Sequence, residues 1–219
     1  MRTKALFLAA VLGVAMVATS VAQVYSVNAV GYVNLTVAPG LSMIANPLQA
    51  PINDVSHVLT VPDGTQLYKF NGAGFDILLF DVDTWVINGV PAGTTTLNPG
   101  EGAFIKNNTA TPFTNTFVGD VVQGTAATGN PVTVTLPAAG NVGIVASKVP
   151  IAGKLSTDLK YPQVDGTQAY IFNGAGYDVY LFDVDTWTPS EPTIQIAQSF
   201  WVRTPQGSSG NWVRDFTVN

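Results

Sequence analysis

Apolar and polar residues alternate along much of this chain in short runs. Over residues 31–37, Tyr32, Asn34 and Thr36 fall on one side of an extended backbone and Val33, Leu35 and Val37 on the other. That period of two marks a strand. Gln66 to Phe70 reads as a strand, Asn71-Gly72-Ala73-Gly74 as a turn that tolerates positive φ, and Phe75 to Phe80 as the returning strand. The same hairpin recurs around Asn173-Gly174-Ala175-Gly176. Residues 52–59 and 154–159 each predict one or two helical turns, with Asn53 or Asp54 and Ser156 or Thr157 as caps. The rest is Thr- and Val-rich and broken by 14 Pro and 21 Gly, so the expected class is all-β, sandwich or barrel-like.

The pattern occurs twice. Asp63-Gly64-Thr65-Gln66 returns as Asp165-Gly166-Thr167-Gln168, and the match runs at an offset of 102 to Trp85 and Trp187. Five positions in this block differ: Leu67/Ala169, Lys69/Ile171, Phe75/Tyr177, Ile77/Val179 and Leu78/Tyr180. Outside it, residues 40–45 align with 140–145, and Ala103-Phe104-Ile105-Lys106 with Phe200-Trp201-Val202-Arg203. The expected organisation is two tandem homologous β-modules, residues 23–123 and 131–219, each with at most one short helix. Residues 124–130, small and polar, read as the linker.

The first 22 residues stand apart. Arg2 and Lys4 are followed by an uncharged apolar run from Ala5 to Val17, then by Ser20-Val21-Ala22. These are the parts of a secretory signal peptide over residues 1–22, too short in its apolar run for a comfortable bilayer span. Its removal leaves no second run of spanning length, so the expected protein is exported: periplasmic, at the cell surface or extracellular. The whole chain carries a net charge of −5, two units more negative once Arg2 and Lys4 are lost. Acidity and scattered basic residues argue against nucleic acid as a partner. The absence of cysteine excludes disulfides, thiol nucleophiles and thiolate metal sites. Stability must therefore come from the core.

Several stretches carry a resemblance. These are residues 24–32, residues 40–48 ending in Ile44-Ala45-Asn46-Pro47-Leu48, the aromatic strand of residues 67–70 and Trp85. The closing strand Asn98-Pro99-Gly100-Glu101-Gly102-Ala103-Phe104 and the ending Trp212-Val213-Arg214-Asp215-Phe216 belong to the same set. Together they resemble a family of exported two-module β-proteins of verrucomicrobial type. The resemblance spans the mature chain and implies the two-module layout. It brings no activity and no catalytic residues. The second copy has Ile196-Ala197-Gln198-Ser199 in place of the Pro-Gly-x-Gly turn, which implies that a ligand served by that turn would bind the first module alone.

Three groups of side chains are chemical candidates. Asp81 and Asp83, repeated as Asp183 and Asp185, would share one face of an extended backbone, about 7 Å apart. Such hard oxygen donors suit Ca²⁺, or else cap turns by accepting backbone N–H groups. The same pair offers a hydrolase acid and base. His57 is the sole histidine, and no Gly-x-Ser-x-Gly elbow accompanies it. The repeated aromatics read first as core, whereas Trp201, Trp212 and Tyr180 are candidates to stack on sugar rings. The leading expectation is a non-enzymatic cell-surface or extracellular-matrix module whose partners are copies of itself. A glycan-binding protein with polysaccharide as partner is the alternative, and a hydrolase comes last.

Overall fold

The computed structural model describes residues 29–208 and 210–218. The expected leader, residues 1–22, and the start of the first module lie outside the described residues.

The fold is nearly all β. The strands are β1 (Val30–Val37), β2 (Gly40–Ala45), β3 (Gln66–Phe70), β4 (Phe75–Asp81), β5 (Thr84–Ile87), β6 (Val90–Pro91), β7 (Gly102–Asn107) and β8 (Phe113–Asp120). They continue with β9 (Val132–Thr135), β10 (Val142–Ala146), β11 (Gly153–Lys154), β12 (Gln168–Phe172), β13 (Tyr177–Asp183), β14 (Thr186–Thr188), β15 (Thr193–Ile194), β16 (Ser199–Arg203) and β17 (Asn211–Arg214). One helical turn, α1 (Val55–Val58), joins β2 to β3.

The two halves share an order of pairing. One sheet runs β2-β7-β3-β4-β5-β6 and the other β10-β16-β12-β13-β14. A two-stranded ribbon accompanies each, β1 with β8 and β9 with β17. All these pairs are antiparallel, so each sheet can bury one face and leave the other accessible. Val37, Leu67, Leu78, Ile105 and Phe117 fill one buried cluster; Val134, Ala169, Phe182, Phe200 and Val202 fill a second. β1 keeps the predicted alternation, with Val33, Leu35 and Val37 turned inward and Tyr32 outward.

Three local expectations change. The predicted second helix is a series of tight turns at residues 155–159, held by Glu191, whose carboxylate accepts from the Ser156 and Thr157 amides and the Thr157 hydroxyl. Burial alone would raise the pKa of Glu191, but these hydrogen bonds outweigh it and hold the carboxyl below its usual range. Asp54 stands at the α1 N-cap without a side-chain bond, while Asn53 turns inward to Asn46 and Ala50. The stretch read as a linker holds a 3₁₀ turn, Ala126–Thr128, tied to the C-terminal segment by Asp215 and by paired bonds between Gly124 and Phe216.

The structure also shifts the alignment of the copies by one residue. Ala45 pairs with Gly102, and Ala146 with Ser199. Residue 45 thus corresponds to 146, not 145. A one-residue slip in a strand exchanges its faces, so this shift decides which side chains meet at the junction.

The halves meet where β7 and β16 begin. Ala45 N donates to Ala197 O at 2.8 Å, and the equivalent Ala146 N donates to Gly100 O at 3.0 Å. Ala197 sits at φ 60 where Gly100 has φ 93, so the second turn keeps the left-handed backbone despite losing its glycine. Gly102 lies at the centre. A Cβ on it would overlap Ile144 Cγ2 and Ser199 Cβ.

Candidate functional site

Cross-strand pairing fixes which side chains share the face opposite each core. In the first half, Met43, Phe104, Tyr68 and Ile77 form one row, and Leu41, Lys106, Gln66 and Leu79 the next. In the second, the corresponding rows are Ile144, Trp201, Tyr170 and Val179, and Val142, Arg203, Gln168 and Leu181. Phe70 with Phe75, and Phe172 with Tyr177, complete the two faces.

These faces converge on an open cleft of about 750 Å³. That volume lies within the range of small-molecule sites, about 300–1,000 Å³. Tyr68, Phe75 and Phe104 supply one wall, and Tyr170, Tyr177 and Trp201 the other. The rings pack edge to face across the junction: Phe70 on Trp201 at 4.7 Å between centroids, and Phe104 on Phe172 at 5.6 Å. Such geometry brings positive ring edges onto negative ring faces.

Polar groups are few and paired in kind. The Tyr68 and Tyr170 hydroxyls donate to Gln66 Oε1 and Gln168 Oε1, each at 2.8 Å. Trp201 Nε1 donates to the Tyr177 hydroxyl at 3.2 Å. Lys106 is the one charged residue lining the cleft.

A smaller cavity of about 340 Å³, lined by Lys69, Phe70 and Glu101, shares Val142 with the cleft. Here Lys69 Nζ meets Glu101 Oε2 at 2.8 Å, the one ion pair among the described residues. Glu101 also accepts from the Asn98 amide at 2.9 Å. Burial opposes its ionisation, but the bond and charge of Lys69, helped by Asn98, hold its pKa below the usual carboxylate value. The second copy replaces this pair with Ile171 and Gln198, and Gln198 keeps only the turn-capping bond to the Gln195 amide.

The expected site residues separate. Trp201 lines the cleft. Trp212 does not: it is 2% exposed, its Nε1 donates to Leu159 O at 2.8 Å, and its ring packs on Tyr161. Tyr180 is also turned away, because it occupies the core-facing position that Leu78 holds in the first copy and packs against the second cluster. The repeated aromatics, read as core, divide by face. Trp85, Trp187 and Phe182 are core, whereas Tyr68, Phe75, Tyr170 and Tyr177 form the cleft.

The carboxylate pairs take a different geometry from the extended one expected. Val82 and Asp83 have φ 44 and 66, and Val184 and Asp185 have φ 47 and 61. Each pair is the tip of a two-residue hairpin between strand partners Asp81↔Thr84 and Asp183↔Thr186. Asp81 and Asp83 therefore do not lie on one strand face, nor do Asp183 and Asp185. Asp63 does the turn-capping work, accepting from the Val82 amide at 2.9 Å. Among the described residues no three acidic or histidine side chains come together as metal ligands. His57 contacts Ser56 on the surface, Nδ1 to Oγ 3.2 Å. No helix of the described residues is long and apolar enough to cross a membrane.

Phe104 and Lys106 were not among the expected site residues, and Phe172 and Tyr177 were read as core. The signal for them was present: β3 and β4 are apolar on both faces, so one face had to serve something besides the core.

No protein-family model matches the chain, and no curated protein or solved structure matches it either.

Proposed function

We propose that this is a non-enzymatic exported interaction protein, acting at the cell surface or in the extracellular matrix, and that the aromatic cleft is its binding site. The observation that supports this reading is the union of two repeated faces into one concave aromatic surface. Large side chains that a small β-protein would bury are instead exposed there: Leu41, Phe75, Val142 and Tyr177 all reach solvent. Leaving apolar surface in water costs roughly 25 cal/mol per Å², and exposed patches of this kind characteristically mark a binding surface. The walls offer ring faces, aliphatic groups and one ammonium. That equipment holds a ligand.

A second reading, glycan binding, draws on the exposed Trp201 and Tyr177 rings and on the Tyr–Gln pairs, which can exchange hydrogen bonds with hydroxyls. It ranks second because the rings stand edge to face in a box, whereas sugar stacking needs an open flat ring.

The test measures the neutral fluorescent probe N-phenyl-1-naphthylamine on the mature protein, beside a panel of polysaccharides with calcium and with chelator. Saturable probe binding that is weakened at least fivefold in Phe75→Ala and Tyr177→Ala supports the cleft reading. Selective polysaccharide binding lost in the same variants moves glycan to first place, and its loss in chelator would bring calcium with it. No binding of probe or polysaccharide rejects the cleft as a site.

A further inference from the structure

The ligand-facing surface has a charge pattern unlike that of the chain. The protein carries 14 acidic residues and 9 basic ones. Yet no carboxylate lines the cleft, and the rows of each half hold one cation: Lys106 in the first and Arg203 in the second. These residues are equivalent. Lys106 pairs with Leu41 and Gln66 as Arg203 pairs with Val142 and Gln168. Neither takes part in an ion pair among the described residues. Of the acidic residues on the same strands, Asp76 and Asp178 lie on the opposite face, and Asp81 and Asp183 lie one row beyond the cleft rows, at the hairpin tips.

Placement strengthens the pattern. Each cation stands four residues out from the Gly102–Ser199 contact along an extended strand, about 13 Å. Glu101 bridges Val145 antiparallel and β10 is antiparallel to β16, so β7 and β16 leave this contact running in the same sense. The cations therefore stand on the same side of that contact, Lys106 on the first sheet and Arg203 on the second.

A second copy of the chain is a poor occupant. Two such clefts brought together would oppose Lys and Arg with no acid among the lining residues to pair them, and like charges in a desolvated contact are costly. A free molecule with an apolar body and an anionic end fits both parts of the surface. We infer that the cleft binds soluble anionic amphiphiles, the apolar body lying among the aromatic rings and the anionic group meeting Lys106 or Arg203. This rests on the cleft being the binding site and adds the class of ligand.

The test uses the mature full-length protein loaded with N-phenyl-1-naphthylamine. Dodecanoate and dodecyltrimethylammonium, which share a chain and differ in charge, are titrated as competitors below their micelle concentrations. Dodecanoate is expected to displace the probe at about tenfold lower concentration, roughly the weight of one charge-assisted contact. In Lys106→Met/Arg203→Met, with folding checked by circular dichroism, the ratio should fall to within about twofold. Lys106→Gln/Arg203→Gln keeps polarity without charge and serves if the methionine variant misfolds. Equal displacement by the two amphiphiles in the wild type would overturn the inference while leaving the cleft reading intact. So would a preference that survives removal of both cations. A dimer in sedimentation that dissociates in Phe75→Ala would assign the face to a second copy and overturn it too. Failure of the probe to bind, or indifference of binding to Phe75→Ala and Tyr177→Ala, would instead reject the cleft itself.

Discussion

Phe70 stands edge-on to Trp201 across the junction, their ring centroids 4.7 Å apart, although the two residues belong to different copies of the repeat. Their counterparts Phe172 and Phe104 repeat the contact at 5.6 Å. The reciprocal backbone bonds from Ala45 and Ala146 flank the same place. Ring contacts therefore do two jobs, holding the halves together and shaping the cleft. A double-mutant cycle of Phe70→Ala and Trp201→Ala is expected to give a coupling of about 1 kcal/mol by urea unfolding. Strict additivity would mean that the contact is incidental.

Gly102 is the point of closest approach between the halves. Any Cβ there meets Ile144 and Ser199 at once, and neither can swing away like the end of a flexible chain. Gly102→Ala should cost about 1–3 kcal/mol through overpacking, visible as a lower melting temperature. Gly74→Ala is the control, since nothing lies within contact of a Cβ at that position. Its loss should be much smaller.

The hairpin tips hold Val82 and Val184 in the left-handed region, and they are 78% and 75% exposed. A β-branched residue with positive φ is strained, and these side chains gain no burial in return. Val82→Asn should stabilise the fold by about 1 kcal/mol, because Asn tolerates that conformation in a two-residue hairpin. Val184→Asn should do the same, and the pair should be additive in thermal unfolding.

Trp212 tests the division between core and cleft. Its ring is buried against Tyr161 and Phe200, and its indole N–H satisfies the Leu159 carbonyl. Trp212→Phe leaves that carbonyl without its donor and a void beside it, at a cost of about 2–3 kcal/mol. Probe binding in the cleft should persist in the fraction that remains folded. A selective loss of binding with unchanged stability would contradict the core assignment.

Glu101 predicts a pH dependence. Its pKa is lower in the fold than its ordinary value of 4.5. The stabilisation it provides is therefore fully present above that value and is lost as pH falls through the lowered one. Urea unfolding of the wild type and Glu101→Gln should differ most near neutral pH. The difference should shrink as the pH falls below 4.5 and vanish once the carboxyl is protonated in both states. A gap unchanged down to pH 2 would show that ionisation of Glu101 is irrelevant.

The strands and the central hairpins were legible because their signals are local. Asn71-Gly72-Ala73-Gly74 announces a turn, and alternation over residues 31–37 settles which face of β1 points inward. The cleft was less legible. In β3, Leu67 is apolar on one face and Tyr68 and Phe70 are aromatic on the other, so period two separates the faces without saying which one meets the core. The Val82-Asp83 tip was misread as extended because Val82 is β-branched and such residues seldom take positive φ, although Asp83 suits the turn. Aligning Gly40 with Gly140 hid the true register. Gly40 opens β2, whereas Gly140 belongs to the turn before β10.

The reciprocal junction has one more consequence. Its matched bonds are what two separate chains related by a two-fold axis would make. Here both partners sit on one polypeptide, joined through a short stretch that is itself pinned to the C-terminal segment. The association is therefore intramolecular, and dilution cannot reverse it as it would a dimer of free halves. Freed from identity, the halves can also specialise: one carries Lys69 with Glu101, the other Ile171 with Gln198. A ligand entering the cleft meets a fused pair whose two ends are no longer the same.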